Sequence, residues 1–239
     1  MPTFSFFNLL DACREPGCPV CRLEQKAVHR YLDSQFYESV NDPDFRDHLR
    51  GSLGFCREHA WLTINRHLGD ALGFALIYND VVGDLLERLE KNVPPPATRQ
   101  WNALLRRVPE QVGELVQKAV YAFTPKKRCP ACQQQEEAAH NLVATLVEGL
   151  ERPEMVAAIK ESDGLCLPHL RMALQQVKDV RPCELLISIH IEKLKGLHAD
   201  LAELIRKNDY RFMKEALGKE GNSWLRAVSM IAGSHKEKD

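Results

Sequence analysis

Eight cysteines in a chain of 239 residues fall in a pattern that narrows their chemistry. "GCPVC" at 17–21 and "RCPAC" at 128–132 each offer a Cys-Pro-x-Cys pair. About 34 residues beyond each pair comes Cys-x2-His, as Cys56 with His59 and as Cys166 with His169. Taken half by half, the sets are Cys18, Cys21, Cys56, His59 and Cys129, Cys132, Cys166, His169. Three thiolates and one imidazole saturate a tetrahedral ion, the closed arrangement of structural zinc. A two-residue spacer lets both side chains of a pair converge on one ion from a turn or a helix start. Exposed N–H groups at a helix start also stabilise thiolate. The spacing predicts two zinc ions, each tying the first helix of a half to the third helix of the same half.

Other cysteine chemistries fit the pattern less well. An iron–sulfur cluster tolerates histidine in place of cysteine and is the alternative cofactor. Cys13-x4-Cys18-x2-Cys21 has the spacing of a plant-type ferredoxin, but Thr124 stands at the matching place in the second half. A thioredoxin-type dithiol needs a strand leading into the helix, and no strand is legible here. Attached haem is excluded because no histidine directly follows a CxxC pair. Cys13 and Cys183 lack repeat partners and read as free, buried thiols. His29 and His140 recur at matched positions, yet eight helical residues advance about 12 Å, too far to ligate the same ion. Glu137 with His140 resembles a di-iron pair, but Lys26 breaks it in the first half. His190 and His198 read as satisfied core histidines, and Trp61, Trp101 and Trp224 as core or interface anchors.

The elements that must position these residues are written twice. Cys18 and Cys21 fall on Cys129 and Cys132 at an offset of 111. At an offset of 110, Pro43, Gly54, Cys56 and His59 fall on Pro153, Gly164, Cys166 and His169. Each half reads as four helices: about 19–40, 43–51, 57–67 and a long one from 71, then about 130–150, 153–161, 167–178 and a long counterpart. Prolines open the first and second helices, and glycine closes the second. Core stripes are expected on the long helices, through Ala71, Ala75, Tyr78, Val82, Leu85 and Leu89, and through Ile187, Ile191, Leu194, Leu197, Leu201 and Leu204. "NVPPPATR" at 92–99 breaks any helix, and 99–121 reads as bridging helices that begin again at Pro109. The expected architecture is all-α, a tandem duplication of a four-helix, metal-stapled module. Its parts are a first module at 1–92, a Pro-rich linker and bridging helices at 93–121, and a second module with its tail at 122–239.

A net charge of −1 gives no basic field for nucleic acid, and the short "PKKR" at 125–128 reads as a solvated turn. The N-terminal apolar patch has no positive flank and is broken by Asp11, so no signal peptide is read. No apolar run reaches the roughly 20 residues of a membrane span. A cytoplasmic setting follows, where thiols stay reduced and cysteines serve metal or catalysis before disulfides. Phosphate loops, a nucleophile elbow and HExxH are absent from the sequence. The duplicated CPxC … GxCxxH module, at 18–90 and 129–208, resembles an uncharacterised bacterial family with these paired motifs. That resemblance implies a bacterial cytoplasmic protein and no known activity. The function expected is a non-enzymatic, zinc-bound helical scaffold for a protein partner not identified by the sequence; the alternatives are an iron–sulfur protein in electron transfer or redox sensing and, behind it, a thiol–disulfide oxidoreductase.

Overall fold

The computed structural model describes residues 3–92, 109–212 and 214–234. Among them are eleven α-helices, one 3-10 turn and no strand. In chain order they are α1 (Phe4–Ala12), α2 (Pro19–Glu38), α3 (Pro43–Ser52), α4 (Arg57–Asn65), α5 (Ala71–Asn92) and α6 (Pro109–Phe123). There follow α7 (Pro130–Gly149), α8 (Pro153–Glu161), α9 (Leu167–Gln176), α10 (Val180–Lys207), the 3-10 turn (Lys219–Asn222) and α11 (Ser223–Ala232). The all-α expectation holds, and the four helices of each half stand where the repeat places them. The linker from 93 and the expected bridging segment up to 108 lie outside the described residues; α6 starts at Pro109.

Local chemistry sets the helix boundaries. Pro19, Pro43, Pro130 and Pro153 each occupy the first helical position, where the missing N–H has no intrahelical partner to lose. Asp42 caps α3 by accepting from the Phe45 N–H at 2.8 Å, and Asp70 caps α5 through the Gly73 N–H. Past α3, Leu53 and Gly54 adopt positive φ, and the Gly54 N–H bonds back to the Leu49 carbonyl at 2.8 Å. Such a left-handed stop turns the chain sharply into the Cys-x2-His segment.

The chain forms two compact units, and each boundary falls inside a helix. The first comprises residues up to Ala27 together with those from Gln135 onward. Its core joins Phe6 and Leu9 of α1 to Val20, Val143, Leu146, Met155, Ile159, Leu165 and Leu186. Membership of α1 in this core has no counterpart in the sequence repeat. The second unit, Val28–Gln134, packs Val28, Leu32 and Phe36 of α2 against Phe45, Leu49, Phe55, Leu68, Ile77 and Val81. Phe36 meets Phe55 and Phe74 at ring-centroid distances of 5.9 and 4.4 Å.

On both long helices the buried face differs in part from the expected stripe. Gly73, Ile77 and Val81 are buried on α5, whereas Val82 is exposed. On α10 Leu197 is buried as expected, but it is joined by Leu186, Ile189 and His190, whereas Ile187, Ile191 and Leu194 are exposed. Each helix carries two apolar stripes, and close approach at small or hydrogen-bonding side chains selects the buried one. On α5 this is Gly73, whose added Cβ would lie 3.5 Å from Val40. Trp61 and Trp224 are exposed rather than core residues; Trp101 lies outside the described residues. No helix among the described residues is long and apolar enough to cross a membrane.

Candidate metal centres

Each cysteine motif sits on a helix N-terminus in the same way. The Cys18 carbonyl accepts from the Arg22 N–H, Cys56 from Ala60, Cys129 from Gln133, and Cys166 from Leu170. The leading cysteine is therefore the cap residue, and the second donor of the motif lies three positions on, within the first turn. Both side chains point off the helix start, amid its unpaired N–H groups and positive dipole end.

The eight donors gather into two groups of four. Their membership differs from the half-by-half expectation. One group is Cys18, Cys21, Cys166 and His169; the other is Cys56, His59, Cys129 and Cys132. Each CPxC thus meets the Cys-x2-His of the opposite half, and no ion could tie a half to itself. The length of α2 explains the exchange. Phe36 lies fifteen residues beyond Cys21, about 22 Å along a helix that rises 1.5 Å per residue. Phe36 is the residue that packs on Phe55, the neighbour of Cys56. Cys56 packs with Val28, Leu32 and Phe36, the part of α2 that belongs to the second unit, whereas Cys18 and Cys21 belong to the first. An ion with bonds near 2.3 Å joins only donors gathered in one unit.

Within each group the donor atoms lie within 4.8 Å of one another. In the first, His169 Nδ1 is 3.2 Å from Cys166 Sγ, 3.4 Å from Cys21 Sγ and 3.6 Å from Cys18 Sγ. Cys21 and Cys166 Sγ are 3.6 Å apart. In the second, His59 Nδ1 is 3.2 Å from Cys56, 3.4 Å from Cys132 and 3.8 Å from Cys129 Sγ. Cys56 and Cys132 Sγ are 3.6 Å apart. Tetrahedral bonds of 2.0–2.3 Å put neighbouring donors about 3.5–3.8 Å apart, so both groups have the size of a single ion. These sulfurs are free thiols, far beyond a bonded S–S distance of about 2.05 Å.

The crowded donors perturb one another's protonation. Hydrogen bonds from Cys166 and Cys21 hold Cys18 well below the usual thiol range, while hydrogen bonds with Cys166 and Cys18, and then burial, push Cys21 up. Burial opposes charge on His169, but hydrogen bonds to Cys166, Cys18 and Glu24 outweigh it and raise the imidazole to about 12. Burial and the Cys56 contact push Cys132 up to about 12.

A carboxylate that the sequence reading passed over completes the first group. Glu24, buried in the second turn of α2, places Oε2 3.2 Å from His169 Nε2 and accepts from Gln135 Nε2 at 3.4 Å. Outer carboxylates of this kind orient a ligating imidazole and fix its tautomer. The available signal was positional: Glu24 follows Cys21 by one helical turn, and Gln135 occupies the matched place after Cys132.

The remaining candidates stand apart from both groups. His140 is exposed and lies 3.4 Å from Gln176; His29 is half-buried and His198 exposed. His190 is the core histidine expected, with Nδ1 donating to the Leu186 carbonyl at 2.7 Å and Nε2 accepting from the Leu165 N–H at 2.9 Å. Cys13 is buried, and burial pushes its thiol up to about 11; Cys183 is only half-buried.

A family model described as a family of unknown function (DUF6062) matches residues 6–238. The chain is also 26% identical, over 229 residues, to an "Uncharacterized 23.9 kDa protein in xynA 3'region" of Caldicellulosiruptor sp. (strain Rt8B.4). That alignment covers 95% of this chain and 100% of the relative. No solved structure matches the chain. A match spanning nearly the whole sequence, helices and both cysteine groups included, places the protein in a family: it belongs to DUF6062.

Proposed function

We propose that the protein is a non-enzymatic helical scaffold held by two zinc ions, one in each group of three cysteines and a histidine. The observation that carries this reading is the gathering of eight donors into two closed sets of single-ion size. In each set all four tetrahedral positions are protein side chains, which leaves none for a substrate. Donors this close suit one ion better than an iron–sulfur cluster, whose several irons hold their ligands around a larger body. When bound, the ion supplies fixed positive charge that keeps three thiolates ionised and locks two helix starts together. The chain's own residues do the rest. N-terminal N–H groups favour the thiolates, and Glu24 holds His169 with Nδ1 toward the sulfurs. Binding must displace the protons these donors share, so affinity should rise with pH.

A scaffold also needs a surface for its partner. Trp224, Leu225, Val228 and Ile231 are exposed along α11, a composition suited to protein contact. Reduced thiols throughout suit a cytoplasmic setting.

Elemental analysis of untagged protein, purified anaerobically without chelator, tests the reading. Two zinc ions per chain and no broad absorption near 400 nm are expected. Iron with sulfide would replace zinc by the cluster alternative, and an absence of metal would end the proposal.

A further inference from the structure

We infer that Cys56 and Cys132 form an oxidisable pair, through which a hydroperoxide would release the ion of the second group while the first stays intact. The inference rests on the metal reading above. Its basis is a difference in cover between two groups of the same chemistry.

The first group is closed. Cys18, Cys21, Cys166 and His169 are 3%, 3%, 1% and 5% exposed. The end of α11 lies directly on the sulfurs: a Cβ added at Gly233 would sit 3.4 Å from Cys21 Sγ and 3.8 Å from Cys166 Sγ. Gly233 has φ +93°, which an L side chain would strain. The next residue fastens the cover. Ser234 Oγ accepts from the Cys18 N–H at 3.2 Å, and its carbonyl accepts from Gln25 Nε2 at 2.7 Å.

The second group is open on one side. His59 and Cys129 are buried, but Cys56 and Cys132 are only half-buried. These two sulfurs are also the pair 3.6 Å apart, and closing that gap to about 2.05 Å makes a disulfide. Cys21 and Cys166 have the same 3.6 Å separation in the covered group and serve as an internal control.

The chemistry balances with one hydroperoxide. One thiolate attacks the O–O bond, which breaks; the sulfur keeps the hydroxyl as a sulfenic acid, and the alcohol leaves after taking a proton. The second thiolate attacks that sulfur, forming S–S and expelling hydroxide, which a second proton turns to water. Two thiolates, one hydroperoxide and two protons thus give a disulfide, an alcohol (water, for hydrogen peroxide) and water. The ion, left with Cys129 and His59, departs as the hydrated cation.

The test is to treat the full-length, metal-loaded protein with hydrogen peroxide in the presence of a zinc-responsive chelating dye. Total metal is measured first, and cysteines are then mapped by alkylation and mass spectrometry. One ion is expected to leave at least about tenfold faster than the other, since reaching the covered group requires local opening of α11. A Cys56–Cys132 linked peptide should accumulate in step with release of that first ion. Both ions leaving at one rate would overturn the inference, as would Cys21–Cys166 linking first. So would release of the first ion with Cys56 and Cys132 still free. Absence of two ions before any oxidant is added would overturn the metal reading and this inference with it.

Discussion

Replacing Cys18 and Cys166 together by serine is expected to remove one ion, although the residues are 148 apart in sequence. Replacing Cys18 and Cys56, which share a half, is expected to remove both. These outcomes follow from the two donor groups, and a half-by-half pairing would interchange them. The energetic consequence is large. A structural zinc in a finger peptide contributes an apparent 10–16 kcal/mol, roughly, against a whole-domain stability of about 5–15 kcal/mol. Losing one ion should therefore melt the unit that holds it. Once Cys18→Ser has emptied the first group, Cys166→Ser has little left to remove, so the pair should be strongly non-additive. Cys18→Ser and Cys56→Ser share no ion and should add. Elemental analysis of the single and double variants, with chemical denaturation of each, reads both quantities. Retention of one ion by Cys18→Ser/Cys56→Ser, with none in Cys18→Ser/Cys166→Ser, would refute the interleaved arrangement.

Three further outcomes are expected. Glu24→Gln should weaken metal binding in the first group by about 10–100-fold, as loss of an outer carboxylate usually does, and leave the second group unchanged; chelator competition measures this. Burial lowers the His190 pKa, so its neutral form is favoured on folding. The stability it contributes is then fully present above the unfolded value of about 6.5 and is lost as pH falls below it. Urea midpoints at pH 7.5 and 5.5 should draw closer in His190→Gln, and an unchanged gap would refute that assignment. Leu9→Ala, at a fully buried α1 position, should cost about 2–5 kcal/mol; a cost near zero would show that α1 does not belong to the first core.

Much of the fold was legible because its signals are local. Proline at a helix start, glycine with positive φ after α3 and the recurrence of CPxC and Cys-x2-His act within a few residues. Those signals located the four helices of each half and all eight donors. The rest depended on contacts that no local pattern encodes. Residues 4–12 looked like an apolar patch, and only packing against Leu146 and Met155 makes them part of a core. The face of α10 was legible at Leu197 but not nearer its start, because Ile187 and Leu186 are equally apolar and periodicity could not say which joins Leu165 in the core. Glu24 is one acidic residue among many until His169 is brought beside it.

The sequence by itself determined that cysteine and histidine side chains able to hold a metal occur as two equivalent sets on helix starts, because residue type and spacing alone dictate the local geometry of each motif. It could not determine which motifs come together. In a repeat, same-half and opposite-half pairings use the same eight residues at the same spacings, so no count or offset separates them. Tertiary structure decided the matter through helix length. α2 carries its apolar residues Val28, Leu32 and Phe36 into the second core, well beyond its first turn. The Cys-x2-His of the first half follows Phe36 there through Phe55, and Cys18 and Cys21 stay at the opposite end with Cys166 and His169.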